Sequence, residues 1–247
     1  MKKVSLLALA ASLATPAVAD VCPKGFQGFH LGGNIGYGVG TANKTGTLTN
    51  SETDSSFSGE STTFSNRLGF KGVDGGIGTG YTHRFGNWGL GIAFDANWAN
   101  TKGRFTTTGV ADSEESQTVK GNARLKNSLQ LYARAGYVIG NQAMPFVALG
   151  WDNSKWAHKT SISRTITSDS PSTTTISANK SKRLNALMWK LGVDFLATKH
   201  VVVGFEYTGT SAGKINSKTT NADGDVLKSS FKTPQYNKFA LTAKVVY

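Results

Sequence analysis

The chain has 247 residues with 29 glycines, 5 prolines, a single cysteine and a net charge of +12. One cysteine excludes an internal disulfide framework. Past the first 20 residues no apolar run approaches the roughly 18 residues of a membrane-spanning helix, and heptads and long helical periodicities are missing.

The N-terminus reads as a secretory leader. Met1, Lys2 and Lys3 are followed by an apolar run from Val4 to Leu13, and Ala17-Val18-Ala19 fits a small-residue cleavage site before Asp20. The expected organisation is a cleaved signal peptide at 1–19 and one domain over 20–247. Losing Lys2 and Lys3 takes the net charge from +12 to +10. Val21 stands before Cys22 where a lipoprotein signal needs a small residue, so no lipid anchor is expected. For an exported basic chain the expected partners are anionic lipopolysaccharide or acidic host polymers, not nucleic acid.

Eight segments then alternate apolar and polar residues with the period of a strand. The first, Phe29 to Val39, sets Leu31, Ile35 and Tyr37 against His30, Asn34 and glycines. The second, Val73 to Phe85, sets Ile77 and Tyr81 against Asp74, Thr82 and Arg84. The third, Trp88 to Trp98, sets Leu90, Ile92 and Phe94 against Gly89, Gly91, Asp95 and Asn97. The fourth, Leu129 to Ile139, sets Leu131 and Tyr137 against Gln130, Tyr132 and Arg134. The fifth carries Val147, Leu149 and Trp151 against Phe146, Ala148 and Asp152. The sixth carries Leu187, Trp189, Leu191 and Phe195 against Met188, Lys190 and Asp194. The seventh has Val203, Phe205 and Tyr207 against Val202 and Glu206. The eighth has Phe239, Leu241, Ala243, Val245 and Tyr247 against Lys238, Thr242 and Lys244.

The connections after segments two, four and six are brief ("GN", "GNQAM", "ATKH"), whereas the others are long and rich in Thr, Ser, Asn and Lys. Alternating segments of roughly ten residues match a tilted membrane-crossing strand. The pattern implies an all-β, eight-stranded antiparallel up-and-down transmembrane barrel with short periplasmic turns and long extracellular loops. Closure is required because lipid cannot satisfy an open sheet edge. A soluble sandwich or barrel shows the same alternation, but it fills its inside with apolar residues. Here the inward sites carry charge. Aromatics also gather at segment ends. Phe29, Phe85, Trp88, Phe195 and Tyr247 mark one rim, and Tyr37, Trp98, Trp151 and Tyr207 the other, as interfacial girdles do. Trp156 has inward parity and is expected above the membrane or past a bulge.

The first strand "FHLGGNIGYGVG", the hairpin "GGIGTGYTHRFGNWGLGIAFDANW" and the terminal aromatic resemble the small eight-stranded outer-membrane barrels. These are the OmpA-like and OmpX-like transmembrane domains and the surface-antigen barrels of alphaproteobacteria. The resemblance covers nearly the whole mature chain. It implies residence in the bacterial outer membrane and reading of the last strand (Phe239, Leu241, Val245, Tyr247) by the barrel assembly machinery. Nothing follows that strand, so cell-wall anchoring through a periplasmic domain is not carried over.

The inward charges are Asp74, Asp95, Asp152, Asp194 and Glu206 against Arg84, Arg134, Lys190, Lys238 and Lys244. A turn near Thr198 sets Lys190 directly opposite Glu206, and the turn at Asn141 or Gln142 brings Arg134 diagonally near Asp152. These charges read either as a gate or ion pathway, or as a polar plug that fixes strand register; the plug is the expectation adopted. Beside the glycines of the first three segments, either long side chains cross over or a narrow water path remains. The connection "KWAHKTSISRTITSDSPSTTTISANKSKR" reads as a protruding hairpin whose edge offers a partner strand a docking site. Its Lys155, His158, Lys159, Arg164, Lys180, Lys182 and Arg183 face only Asp169 and suit lipopolysaccharide phosphates. An inert, solvated loop is the alternative.

Catalysis by a lipid A-modifying enzyme would rest on His158 with Ser154, Ser161 and Asp152, a loose grouping in a Ser-rich stretch. His30, His83 and His200 fall near the periplasmic side. No metal-ligand or cofactor motif occurs. The expectation is a non-enzymatic barrel, without cofactor or metal, serving a structural or surface-antigen role with adhesion through its loops. A narrow diffusion pore is the alternative.

Overall fold

A computed structural model of the chain describes residues 25–49, 61–112, 115–166, 172–211, 213–220 and 225–247. The expected leader, Cys22 and Asp169 lie outside them. The described residues form one antiparallel sheet of nine strands: β1 (Gly28–Thr49), β2 (Ser61–Phe85), β3 (Trp88–Asp112), β4 (Glu115–Tyr137), β5 (Ala143–Ile166), β6 (Ser172–Leu196), β7 (Val201–Ser211), β8 (Lys214–Thr220) and β9 (Val226–Val246). The spatial order is β1-β2-β3-β4-β5-β6-β7-β9-β8, and β1 pairs back onto β9 from His30↔Val246 to Thr49↔Val226. β7 and β8 take successive stretches of the same β9 edge, Thr210↔Tyr236 ending one ladder and Lys214↔Lys232 beginning the other.

Turn chemistry sets the short-turn end. Gly86, with φ 60°, takes the first of two loop positions between Phe85 and Trp88, as a primed hairpin turn requires. Gly140 and Asn141 are both left-handed, with φ 58° and 57°, inside the Ile139↔Ala143 bridge.

The strands are far longer than the sequence segments. β2, β3 and β6 each run for 25 residues, so most of what reads as polar loop is strand. The reason is a reversal of polarity along the sheet. In the short-turn half, the outward face carries Leu31, Ile77, Leu90, Leu149, Leu187 and Leu241, all exposed, and the inward face carries charge. In the other half the outward face carries Thr, Ser, Lys and Arg, while Ala42, Leu68, Phe70, Leu125, Leu184, Ile215 and Phe231 pack inside around Trp156. Trp156 has the inward parity read from sequence and is only 1% exposed. A second apolar layer of Leu48, Val119, Ile162, Ile176, Ala178 and Leu227 lies beyond it.

Two bulges conceal this reversal in the sequence. The pairing of β4 with β5 shifts between Leu125 and Asn127, so inward sites are Gln130 and Tyr132 on one side and Leu125 and Ala123 on the other. The β1–β9 register shifts between Thr41 and Asn43, and the inward parity of β9 changes from even (Tyr236, Lys238) to odd (Phe231, Ser229). Such one-residue insertions flip the face that follows.

Candidate functional site

The interior of the short-turn half is a charged layer held between apolar seals. On the turn side Phe26, Val138, Met144, Val202 and Val246 pack together with Leu196 against them. On the other side the Trp156 cluster closes over it, Phe70 meeting the indole edge-on at 5.1 Å and Tyr236 at 6.2 Å.

Within the layer Lys190 Nζ donates to Asp95 Oδ2 at 2.6 Å and to Glu206 Oε1 at 3.2 Å, and lies 4.3 Å above the Tyr132 ring. Arg134 donates to Asp194 at 2.6 Å and stacks on Phe146. Lys244 reaches the same carboxylate at 3.0 Å. Lys238 pairs with Asp74 and donates to the side-chain oxygens of Asn34 and Asn97, and the Tyr236 hydroxyl donates to Asp74 at 3.2 Å. Asp152 accepts from the Gln130 amide at 3.0 Å. Pairing is what makes this layer tolerable, because an unpaired buried charge costs several kcal/mol.

Glycine provides the bed on which these side chains lie. A Cβ on Gly38 would overlap the Tyr236 hydroxyl, one on Gly78 would overlap Asp95 Oδ1, and one on Gly36 would come within 2.9 Å of the Lys238 stem. Long side chains from β9 and β3 therefore fill the glycine side. What remains is a cavity of about 20 Å³ between His30, Asn34, Asp95, Tyr132, Glu206 and Lys244, room for about one water.

Nine of the ten expected interior charges, all but Arg84, face this interior; eight of the nine are buried, and Lys244 is nearly so. Arg84 does not belong with them. It is half-exposed at the turn end, where its guanidinium donates to the Gly86 carbonyl and to Asn141 Oδ1. The pairings also differ from the sequence reading. Lys190 sits opposite Thr208, and Gly192 opposite Glu206, because the β6–β7 turn is two residues out of the expected register; the ion pair forms diagonally. Arg134 sits opposite Ala148 and binds Asp194 rather than Asp152. Most pairs span the interior between strands that are not neighbours: β6 to β3, β4 to β6, β9 to β2.

The outward aromatics lie at both ends of the apolar band. Trp88 and Trp98 are 58% exposed and Trp151 46%, and Tyr207 packs between Trp189 and Phe239. Phe239, Leu241 and Tyr247 of the last strand are exposed, and Val245 is half-buried.

Two buried cation-forming groups outside the band escaped the sequence reading of interior charge. Lys44 is fully buried, donates to the Lys159 carbonyl at 3.0 Å and lies 5.1 Å over the Phe105 ring. Burial pulls its ammonium down to about 8. Its inward parity, two residues past Ala42, was the available signal. His158 is 1% exposed and stacks on Phe231. Burial, with Lys44 and Lys180 adding to it, pulls its imidazole down to about 4. Its Nε2 lies 3.2 Å from the Ser217 hydroxyl and 3.5 Å from that of Ser229, not beside Ser154 or Ser161; Ser154 accepts from the Trp156 indole. Among the described residues His158 Nδ1 has no hydrogen-bond partner. Among the described residues no carboxylate bonds to this serine–histidine contact, which therefore shows two members of a nucleophile–base–orienter set.

An apolar belt facing outward around a charged interior is the inverse of a water-soluble sheet. The model of the outer membrane protein beta-barrel domain family matches residues 5–243. The chain belongs to that family. Membership places this barrel in the bacterial outer membrane. Among solved structures, the outer membrane protein OprG from Pseudomonas aeruginosa is 13% identical, with a TM-score of 0.50 over 91% of this chain and 99% of that one. Neisserial surface protein A is also 13% identical, with a TM-score of 0.36 over 85% of this chain and 97% of that one. Ail, the attachment invasion locus protein of Yersinia pestis, is 13% identical, with a TM-score of 0.33 over 90% and 99%. No protein of curated function matches the chain in sequence.

Proposed function

We propose that this chain is a closed eight-stranded barrel, β7 and β8 counting as one broken strand, that crosses the outer membrane without conducting. The short turns face the periplasm, and the extended strands with their apolar core stand outside the cell. Residues 1–19 would be removed on export, leaving 20–247, and Phe239, Leu241, Val245 and Tyr247 would be read by the assembly machinery. The role is structural and surface-antigenic, with no catalysis, and adhesion to a host or surface ligand would use the outward Thr, Ser and Lys of the extended strands.

The observation that carries this reading is the paired seal. The Phe26–Met144 cluster and the Trp156 cluster lie on either side of a layer in which every described interior charge but Asp152 is ion-paired. An ion would have to break those pairs and cross two apolar constrictions. The polar plug is thus preferred to the gate. The pore reading has one observation in its favour, the small cavity beside Gly32, Gly33 and Gly78. Planar-bilayer recording of the refolded full chain separates the two. A silent membrane is the expected result; discrete, reproducible open steps would replace the plug by a pore.

A further inference from the structure

Arg84, the expected interior charge that the fold sends elsewhere, lines a cavity at the short-turn end. The cavity has a volume of about 510 Å³ and opens to solvent between Gly25, Gln27, Arg84, Gly86, Asn141 and Leu196. That volume falls within the roughly 300–1,000 Å³ of small-ligand sites. Three segments and a strand end build it. The β2–β3 turn supplies Arg84 and Gly86, the β4–β5 turn supplies Asn141, the chain entering β1 supplies Gly25 and Gln27, and β6 ends at Leu196. Gly25 and Gly86 are left-handed, with φ 64° and 60°, so a side chain at either would be strained and the wall stays bare there. Leu196 supplies the apolar part of the wall and packs against the Phe26 seal. None of the side chains of the charged layer lines the cavity.

The polar wall is set for a single negative charge. Arg84 Nε donates to the Gly86 carbonyl at 2.6 Å, and Nη2 donates to Asn141 Oδ1 at 2.8 Å. These bonds fix the guanidinium plane and use two of its five N–H donors. The three that remain are on Nη1 and Nη2, the end of the fork that takes a carboxylate by two parallel bonds. Among the described residues no carboxylate lines the cavity and none is paired with Arg84. One lining cation balances a monoanion, whereas a phosphomonoester carries close to two charges. The side-chain amides of Gln27 and Asn141 donate and accept as a peptide group does. Leu196 gives an apolar side chain a place to rest.

We propose that this cavity binds the terminal carboxylate of a short peptide. Arg84 holds the carboxylate, the amides of Gln27 and Asn141 meet the adjoining peptide group, and Leu196 contacts the last side chain. That the peptide comes from the periplasm rests on the orientation proposed above. A nanodisc exposes both mouths of the barrel, so binding is measured whichever way the chain faces. Orientation is read separately in cells carrying Cys22→Ser and Lys199→Cys, where an impermeant maleimide should label only after the outer membrane is permeabilised. The two readings can therefore fail independently.

The test uses the full chain refolded into phosphatidylcholine nanodiscs, with heat-modifiable migration confirming that each variant is folded. The probes are N-trifluoroacetyl trialanine with a free carboxylate and its carboxamide, and fluorine NMR gives the dissociation constant of each. The carboxamide should bind about tenfold more weakly than the acid, as expected for the loss of a charge-assisted pair. Arg84→Gln should weaken the acid about tenfold and remove the difference between the two probes, and Arg84→Lys should restore only part of it. Leu196→Ala should weaken both probes alike. Lys199→Gln removes an exposed cation of the same end that does not line the cavity, and should stay within about twofold of the parent. No binding of the acid, equal binding of acid and carboxamide by the parent, or a difference that survives Arg84→Gln would overturn the proposal. So would an equal loss in Lys199→Gln, which would mean diffuse attraction to a basic surface, or displacement of the acid by a lower concentration of glycerol phosphate than of acetyl trialanine, which would assign the cavity to a phosphate.

Discussion

Lys190 is the side chain whose removal tests the interior most severely. Its ammonium is shared by Asp95 and Glu206, and its side chain is 1% exposed. Lys190→Met keeps the length and volume of the stem but strands two carboxylates in a closed interior. Breaking one buried pair by removing a partner costs about 3–5 kcal/mol, and with two acceptors left the upper part of that range applies. At an m-value of about 2–3 kcal/mol/M the urea midpoint should fall by roughly 1–2.5 M. The assay is equilibrium urea unfolding in lipid vesicles, followed by circular dichroism. The combined Lys190→Met, Asp95→Asn, Glu206→Gln variant removes the stranded charges as well and should recover most of the loss. If Lys190→Met unfolds within about 0.5 kcal/mol of the parent, the scale of a neutral surface substitution, the paired-layer account is wrong.

The glycine bed predicts a contrast in the same assay. Gly38→Ala and Gly78→Ala, which press on Tyr236 and Asp95, should each cost about 1–3 kcal/mol as overpacked sites do, whereas Gly69→Ala, with no atom near its new methyl, should be silent. Trp156→Ala should lose about 3–5 kcal/mol as a large core deletion; a loss below about 1 kcal/mol would mean that the core around Trp156 is not packed. His158 gives a pH dependence. Its folded value of about 4 lies below the ordinary 6.5, so the unfolded chain binds the extra proton between those values. Stability should fall as pH drops from about 6.5 toward 4, by about 2–3 kcal/mol. His158→Gln should flatten that limb, and an unchanged slope would show that other groups produce it.

The membrane-facing half of the fold was legible because lipid imposes a hard rule. Every outward side chain from Leu187 to Phe195 must be apolar, and the inward ones escape that demand, so period two stands out even in one sequence. The half beyond the apolar band obeys the opposite rule with weaker contrast. Outward Thr, Ser, Arg and Lys on β2, β3 and β4 look like loop, whereas on β5 and β6 the protruding hairpin was legible, and Ile162 and Ile176 are directly paired in it. The bulges near Lys126 and Pro234 then change the parity partway, so extending either segment by alternation alone would assign the wrong face. For the site, parity was enough to say that Asp95, Lys190 and Glu206 face inward. It was not enough to pair them. Partners across the interior depend on how far each hairpin is staggered, and a two-residue error at the β6–β7 turn moved Glu206 from opposite Lys190 to the diagonal. Arg84 was misplaced for a related reason: inward parity at the last residue before a turn leads to the mouth, not into the interior.

The exchange of inside and outside along β6 can be measured residue by residue. Single cysteines introduced from Ile176 to Phe195, with Cys22 replaced by serine, would carry a nitroxide label in lipid vesicles. Collision with oxygen reports lipid, and collision with a water-soluble nickel chelate reports solvent. High oxygen access is expected at Leu187, Trp189, Leu191 and Val193, high nickel access at Ser177, Asn179 and Arg183, and neither at Ala178, Leu184, Ala186, Met188 and Lys190. Oxygen access at the even-numbered sites, or an outward face that stays lipid-exposed from Arg183 back to Ser177, would contradict the account.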